Sequence, residues 1–450
     1  MTVDLIIKGG KVYSPYGFFD GDVIIDSGRI VSLTKTSRSI DAERVVDATG
    51  KVVLPGMIDM HIHFRDPGFT EREDFETGTT AAAAGGVTTV VDMPNTVPSV
   101  TSVEALKEKI KNADRKAVVD FALIGGAGDV DPQALMGMAE EGVVAFKTFM
   151  TARFKELAAS DSQMMDNFKT IAGTGLPCLI HAENQDIVSR WMEKAIESGR
   201  VDPIAHCDFR PPIAEVEATM RTIILAGETD VDLHICHMSA KGGVEVLAWA
   251  KANGRKVTGE TSPNYLLLNE ESMKSLGPYA KIDPPLRKEA DQKALWKALN
   301  DGTVDVLASD HAPYPRAEKE KGWANIFDAP SGSVGVETSL PLMLDCVDKG
   351  LVSLERLVEV FSVNPAQLLK LYPRKGALIP GSDADVIVVD LKREYEIKAE
   401  LLHSKEKTTA YDGYKVKGAP LTTIVRGEVV MENRILQGRP GFGEFQRPIL

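Results

Sequence analysis

The sequence predicts an α/β fold: a (β/α)8 barrel, TIM-like, with a small β-sandwich built from both chain termini. Three observations carry this. Eight short apolar segments in the middle of the chain alternate with segments whose apolar residues recur at helical spacing. Nearly continuous apolar strands alternating with helices describe a parallel sheet buried on both faces, and eight such units are the count for a closed barrel. The two ends of the chain share a different texture of short strands and turns.

The first end reads VDLIIKGGKVYS, GDVIIDSGRIVSL and RVVDATGKVVLPG, with Gly-Gly, Ser-Gly and Thr-Gly pairs as hairpin-type punctuation between apolar runs. DADVIVVDL and LTTIVRGEVVMENRI return to that texture at the other end. The expected division is therefore residues 1–55 with 376–450 as the sandwich and 56–375 as the barrel. The eight strand candidates are MIDMHIHF, GVTTVVDMPN, AVVDFALIGG, GVVAFKTFM, PCLIHAEN, DLHICHMSA, KVTGETSPNYL and VDVLASDHAP. Segments such as SVEALKEKIKN, DIVSRWMEKAIESG and GVEVLAWAKANG separate them and finish near Gly or Asn, as helices do. The AAAAGG run at 81–86 reads as a helix ending at glycine. GGAG at 125–128 is a turn after a strand, not a phosphate loop, because no Lys-Ser/Thr follows it.

Composition bounds the function classes. At 450 residues with 43% hydrophobic and 26% charged residues, the chain can hold one large barrel and a smaller module. A formal net charge of −13 without any block of five Lys/Arg excludes a polynucleotide-binding face. No run of 18 apolar residues and no basic, then apolar, N-terminal leader is present. Four cysteines lack CxxC spacing, and Cys178 and Cys236 lie inside apolar runs, so buried free thiols in a reducing, cytoplasmic compartment are expected.

Almost every barrel strand runs apolar and ends in His, Asp, Asn, Glu or Lys, and in a barrel those ends share the C-terminal rim, where active sites form. His61 and His63, in HIH, point to one face of their strand because the pleat alternates. His181 ends PCLIH, His237 ends DLHICH and Asp310 ends VDVLASD. His234 and His237 are three apart and face opposite sides; His237, nearer the strand's end, is the candidate ligand. His311 follows Asp310, faces away from it and reads as structural. Histidines and a carboxylate at successive rims point to a metal site.

Lys147 lies in VVAFKTFM, where a bare ammonium is costly to bury. A lysine that has reacted with carbon dioxide answers this, since its carbamate is an anion with two oxygens able to bridge two cations. Two such ions, about 3.5–4 Å apart, would hold a hydroxide and polarise a carbonyl oxygen. Asp310 would then be both ligand and proton shuttle between attacking hydroxide and leaving amide nitrogen.

The motifs HIHFRDPG, MPNT, FKTFM, HAEN, HICHMSA, DPPLR and SDHAP resemble the cyclic amidohydrolases, the group of dihydroorotases, allantoinases and hydantoinases, over essentially the whole chain. The resemblance implies a binuclear site, commonly zinc, with His61, His63, carboxylated Lys147, His181, His237 and Asp310 as ligands, all present here. It implies a small cyclic amide or ureide as substrate and a homo-oligomer, dimer or tetramer. Arg65 and Asn95 look like the dihydroorotase pair that grips a carboxylate, a task suited to a guanidinium fork; the competing account pairs Arg65 with Asp66 or Glu73. Two positions depart from the dihydroorotase pattern: Asp283 stands where Asn is usual, and Tyr314 where His is. VDFALIGG, VETSLPLML and GFGEF look closer to allantoinases and L-hydantoinases. The charged segment 314–332 reads equally as a rim loop over the site and as a solvated surface loop, and the family implies that Ser331 and Gly332 offer backbone hydrogen bonds to the ring. Dihydroorotate hydrolysis is the leading expectation and opening of a five-membered ureide ring its rival. A non-catalytic scaffold of the same fold is a third reading, which six intact ligand positions disfavour.

Overall fold

The computed structural model describes residues 2–450, and of residues 152–154 the backbone alone. Five strands open the chain: β1 (Thr2–Ser14), β2 (Gly17–Asp26), β3 (Arg29–Thr34), β4 (Asp41–Asp47) and β5 (Val52–Pro55). The Ser-Gly pair makes the expected hairpin: Ser27 and Gly28, at φ 50° and 73°, form the two-residue loop that joins β2 to β3 with the twist such strands favour. The Gly-Gly pair does not. Gly9 and Gly10 lie inside β1, at a register shift between Ile7 and Gly10. There the partner of β1 changes from β4, along Thr2–Lys8, to β5, at Lys11 and Val12. A Cβ on Gly10 would stand 2.5 Å from a Val53 methyl, so the glycine is what lets β5 approach where the strand bulges.

The barrel strands are the eight segments expected: β6 (Met57–Ile62), β7 (Val87–Asp92), β8 (Asp120–Gly126), β9 (Ala145–Phe149), β10 (Cys178–His181), β11 (Leu233–Ile235), β12 (Val257–Thr261) and β13 (Val306–Leu307). They pair in chain order, all parallel. The ring closes beyond β13, where His311 bridges Ile62 and its carbonyl accepts the His63 N–H at 2.7 Å. Every residue of β6 to β11 is buried, which is why these strands read as unbroken apolar runs. Ile58, Met60, Val91, Ile124, Leu179 and Val306 fill the interior. The alanine-rich helix Phe75–Ala84 starts on an Asp74 cap that accepts the Thr77 N–H at 2.9 Å, and it stops at Gly85 as expected.

After the barrel, β14 (Val386–Glu396), β15 (Lys415–Val425), β16 (Glu428–Glu432) and β17 (Ile435–Leu436) join the opening strands through antiparallel β14·β5 pairing. Both termini thus build one nine-stranded sheet. Its inner face gathers Leu5, Val23, Ile25, Val53, Val386 and Ile424 into a core separate from that of the barrel. The final residues then return to the barrel, where the Phe121 N–H donates to the Glu444 carbonyl and the Gln446 N–H to the Phe121 carbonyl. All four cysteines are buried and free, and among the described residues no helix is long and apolar enough to cross a membrane.

A buried charge cluster joins these parts. The ammonium of Lys375, fully buried, pairs with Asp120 at the start of β8, with Asp383 at 2.9 Å and with Asp385 at 2.8 Å. Asp120 also takes Arg426 at 2.9 Å, from the loop between β15 and β16, and the Gln446 amide at 3.1 Å. Removing one partner from such a cluster leaves buried charge unanswered. Lys375→Met is accordingly expected to destabilise the fold by about 3–5 kcal/mol, read as a lower denaturation midpoint. A midpoint equal to that of the unsubstituted protein would show that the three carboxylates do not depend on this lysine.

Candidate active site

The rim of the barrel brings the sequence-predicted residues together. His61 is the last residue but one of β6 and His63 lies just beyond the strand; His181 ends β10, His237 follows β11 and Asp310 follows β13. The Nε2 atoms of His61 and His63 each lie 3.4 Å from Asp310 Oδ1. His181 Nδ1 faces His237 Nε2 at 3.0 Å, and the His61 and His237 rings stand 5.2 Å apart. Lys147 lies at the floor, fully buried, its ammonium donating to Cys236 Sγ at 2.8 Å. His237 and Asp310 have φ of 35° and 49°. That left-handed backbone is uncommon for non-glycine residues and is tolerated where the fold must aim a side chain.

The donor set fits divalent metal. Donor atoms of His61, His63 and Asp310 all lie within 4.8 Å of one another. His237 Nδ1 is buried without a hydrogen-bond partner, an orphaned imidazole nitrogen of the kind that a metal would take up. Burial, with the charges of Arg65 and His61, pulls His63 down to about 3. Burial and the neighbouring cations push His237 well below its ordinary value, so both rings are neutral and ligand-ready. Burial alone would raise the Asp310 carboxyl, but His61, His63 and His237 more than offset it and hold it below the usual carboxylate range. Among the described residues Lys147 forms no ion pair, although it is fully buried.

Residues that sequence reasoning did not assign to this task hold these ligands in place. Glu260, in β12, pairs with His61 Nδ1 at 2.8 Å, accepts the His237 backbone N–H at 3.0 Å and stands 3.4 Å from His234 Nε2. Glu183 meets His181 Nε2 at 2.8 Å and is gripped by the Arg210 fork at 2.8 and 2.5 Å. His63 Nδ1 meets Asn95 Oδ1 at 2.8 Å. Partners on the far ring nitrogen fix tautomer and orientation. Glu183 and Glu260 had a legible signal, since each is an acid at the end of an apolar strand (HAEN, KVTGET). Arg210 had none, because it arrives from a loop between helices. His311 is buried away from the cluster, its Nδ1 accepting the Gly335 N–H at 3.2 Å.

Above the ligands, Arg65, Asn95, Asp283, Tyr314, Ser331 and Gly332 line the same pocket. Arg65 pairs with neither Asp66 nor Glu73: Asp66 takes Lys116 at 2.6 Å, and Glu73 lies against Thr77 and the Lys405 backbone. Instead Arg65 Nη1 donates to the Asn95 carbonyl at 3.4 Å and Nη2 to the Tyr314 hydroxyl at 3.3 Å, leaving its buried Nε without a partner. Asp283 turns from Arg65 toward Arg210 at 3.1 Å and His206 at 3.3 Å. At Gly332 a Cβ would meet the Ala312 carbonyl at 2.4 Å, so only glycine fits this wall.

Residues 52–430 match the model of the Amidohydrolase family. The chain belongs to that family. Among solved structures, this amidohydrolase superimposes on the L-hydantoinase (dihydropyrimidinase) from Arthrobacter aurescens with a TM-score of 0.97 and 37% identity, over 99% of this chain and 100% of the other. A dihydroorotase of Methanosarcina acetivorans is 36% identical, over 98% of this chain and 95% of its own. An allantoinase of Solibacter usitatus is 35% identical, over 99% and 97%. The resemblance to the cyclic amidohydrolases drawn from the motifs therefore stands. In this amidohydrolase, Glu260→Gln is expected to weaken divalent-metal affinity about 10–100-fold by loosening His61, measured by chelator competition; an unchanged affinity would remove Glu260 from the metal centre.

Proposed function

We propose that this amidohydrolase opens a cyclic amide ring that carries a carboxylate, as a dihydroorotase does in converting dihydroorotate to N-carbamoyl-aspartate. The observation that supports the carboxylate is Arg65: a buried guanidinium on the pocket wall that forms no ion pair among the described residues and has an orphaned Nε. Its contacts leave donors free for an anion. Tyr314 accepts from Arg65, so its own O–H proton remains available, and Asn95 uses its oxygen on His63, so its NH2 remains. Tyr314 in place of histidine then adds to the grip. The objection raised by Asp283 also weakens, because Arg210 answers its charge at 3.1 Å.

In this reading His61, His63, His181, His237, Asp310 and a carboxylated Lys147 hold two divalent cations, zinc for preference. When bound, such ions supply an activated water and polarise a carbonyl. The chain's own part is the proton. As water oxygen bonds to the ring carbonyl carbon and the C–N bond breaks, the Asp310 carboxylate holds the proton that leaves the water and delivers it to the departing nitrogen. The anionic state of Asp310, kept by the three histidines around it, suits it to accept that proton. The same reading carries the division into 1–55 with 376–450 and 56–375, a homo-oligomer and a cytoplasmic setting, the last supported by the four free thiols.

A second reading, opening of a hydantoin or other five-membered ureide, is favoured by the TM-score of 0.97 to an L-hydantoinase. One panel separates them: dihydroorotate, allantoin and D- and L-5-substituted hydantoins with metal-replete enzyme. Arg65→Ala is expected to lower kcat/KM for dihydroorotate by about 100-fold or more, the scale of a lost charged hydrogen bond, and to spare uncharged rings. Equal loss on every ring would mean that Arg65 is structural and would end the carboxylate reading.

A further inference from the structure

The segment after β13 carries two pocket-lining stretches, Ala312 to Tyr314 and Ser331 to Gly332, with a short helix, Arg316–Lys319, between them. Lys319 is only 2% exposed and points inward. Its ammonium donates to the Gly332 carbonyl at 2.7 Å, the Pro330 carbonyl at 3.0 Å and the Lys281 carbonyl at 3.3 Å. Three donors meet three acceptors, which uses up the hydrogen-bonding capacity of the group. Among the described residues Lys319 forms no ion pair. A second ammonium lies close by: Lys281, also buried, donates to the Ile326 and Ala329 carbonyls at 2.8 and 2.5 Å.

Two like charges under one loop are a costly arrangement, and burial, followed by the charge of Lys281, pulls Lys319 down to about 7. Asp283 is the acid that opposes this shift, and it is engaged with Arg210 and His206. The acceptors show what the arrangement accomplishes. The Lys281 carbonyl belongs to the stretch that leads to Asp283 and also accepts the Gly332 N–H at 2.9 Å. The Pro330 and Gly332 carbonyls flank Ser331. Lys319 is therefore the point where the wall bearing Asp283 meets the wall bearing Ser331 and Gly332.

We propose that Lys319 is a positioning residue: its ammonium clasps these two walls together and so sets the width of the pocket in which the ring is held. The proposal rests on that pocket being the ring-binding site but not on which ring enters it. A wall that grips substrate and transition state alike should act on KM and leave kcat alone.

The test uses metal-loaded full-length Lys319→Met, which keeps the side-chain length and removes the charge, with any ring of the panel that the unsubstituted enzyme opens. Amide exchange at 281–283 and 326–333 should speed up about tenfold or more. KM should rise about tenfold with kcat within about threefold and metal content unchanged. Lys319→Gln, whose amide keeps two donors, should recover part of both effects, and it carries the same readings if the Met variant does not fold. Exchange and KM at unsubstituted levels would overturn the proposal, as would a fall in kcat with KM unmoved. If the unsubstituted enzyme opens no ring, the functional reading fails while amide exchange still decides the clasp.

Discussion

Four imidazoles, an ammonium and a carboxylate converge under one rim of the barrel, and each brings a lone pair or a charge that a buried site must answer. Much of the surrounding architecture is that answer. Glu260 serves His61, His234 and the backbone of His237 with one carboxylate. Glu183 serves His181 and is itself held by Arg210, and Asn95 serves His63. What these partners leave over is inward-facing: His61 Nε2, His63 Nε2, Asp310 Oδ1 and the facing nitrogens of His181 and His237. A site in which protein groups hold the outer nitrogens of His61, His63 and His181, while Nε2 of His61 and of His63 turn to one Asp310 oxygen, is arranged for an ion.

The backbone bears a cost for this convergence. His237 and Asp310 both adopt left-handed φ just past the ends of short strands, and Arg65 does the same after β6. Strands β11 and β13 have three and two residues, so the chain leaves regular pairing early and turns its polar residues over the barrel mouth. Such strain persists only on a rigid support. The closed ring of parallel strands, buried on both faces, supplies it, and the Lys375 cluster fixes the terminal sheet and the returning tail to the start of β8.

Much of this was legible in the sequence because it follows from periodicity. Eight apolar runs with polar ends are a local pattern, and the barrel places local ends at one shared rim without needing long-range information. The Gly-Gly pair at 9–10 misled because a bulge and a hairpin have the same need, a residue without a Cβ, and only the neighbouring Val53 distinguishes them. The partners of the ligands were harder for a related reason. Asn95 was read as a substrate contact, yet its oxygen is spent on His63. Asp283 was read as a repulsive charge because Arg210, some seventy positions away, carries no periodic or motif signal of its meeting place. Tertiary pairing of charged side chains is not written in spacing.

That pairing also sharpens the substrate question. A buried arginine beside an open pocket can be answered by the protein or by what enters the pocket. Here the nearby acids are all engaged elsewhere: Asp66 with Lys116, Glu73 with Thr77 and the Lys405 backbone, Asp92 with Lys109, and Asp283 with Arg210 and His206. Arg65 is left with a carbonyl and a phenol oxygen at 3.4 and 3.3 Å, both neutral and both long. An uncharged ring would leave that guanidinium as it is, desolvated and without a counter-charge in every complex. On the proposed reading, a ring bearing a carboxylate would supply the missing charge while finding the Tyr314 proton and the Asn95 amide beside it, and so would bind where the protein has most to gain.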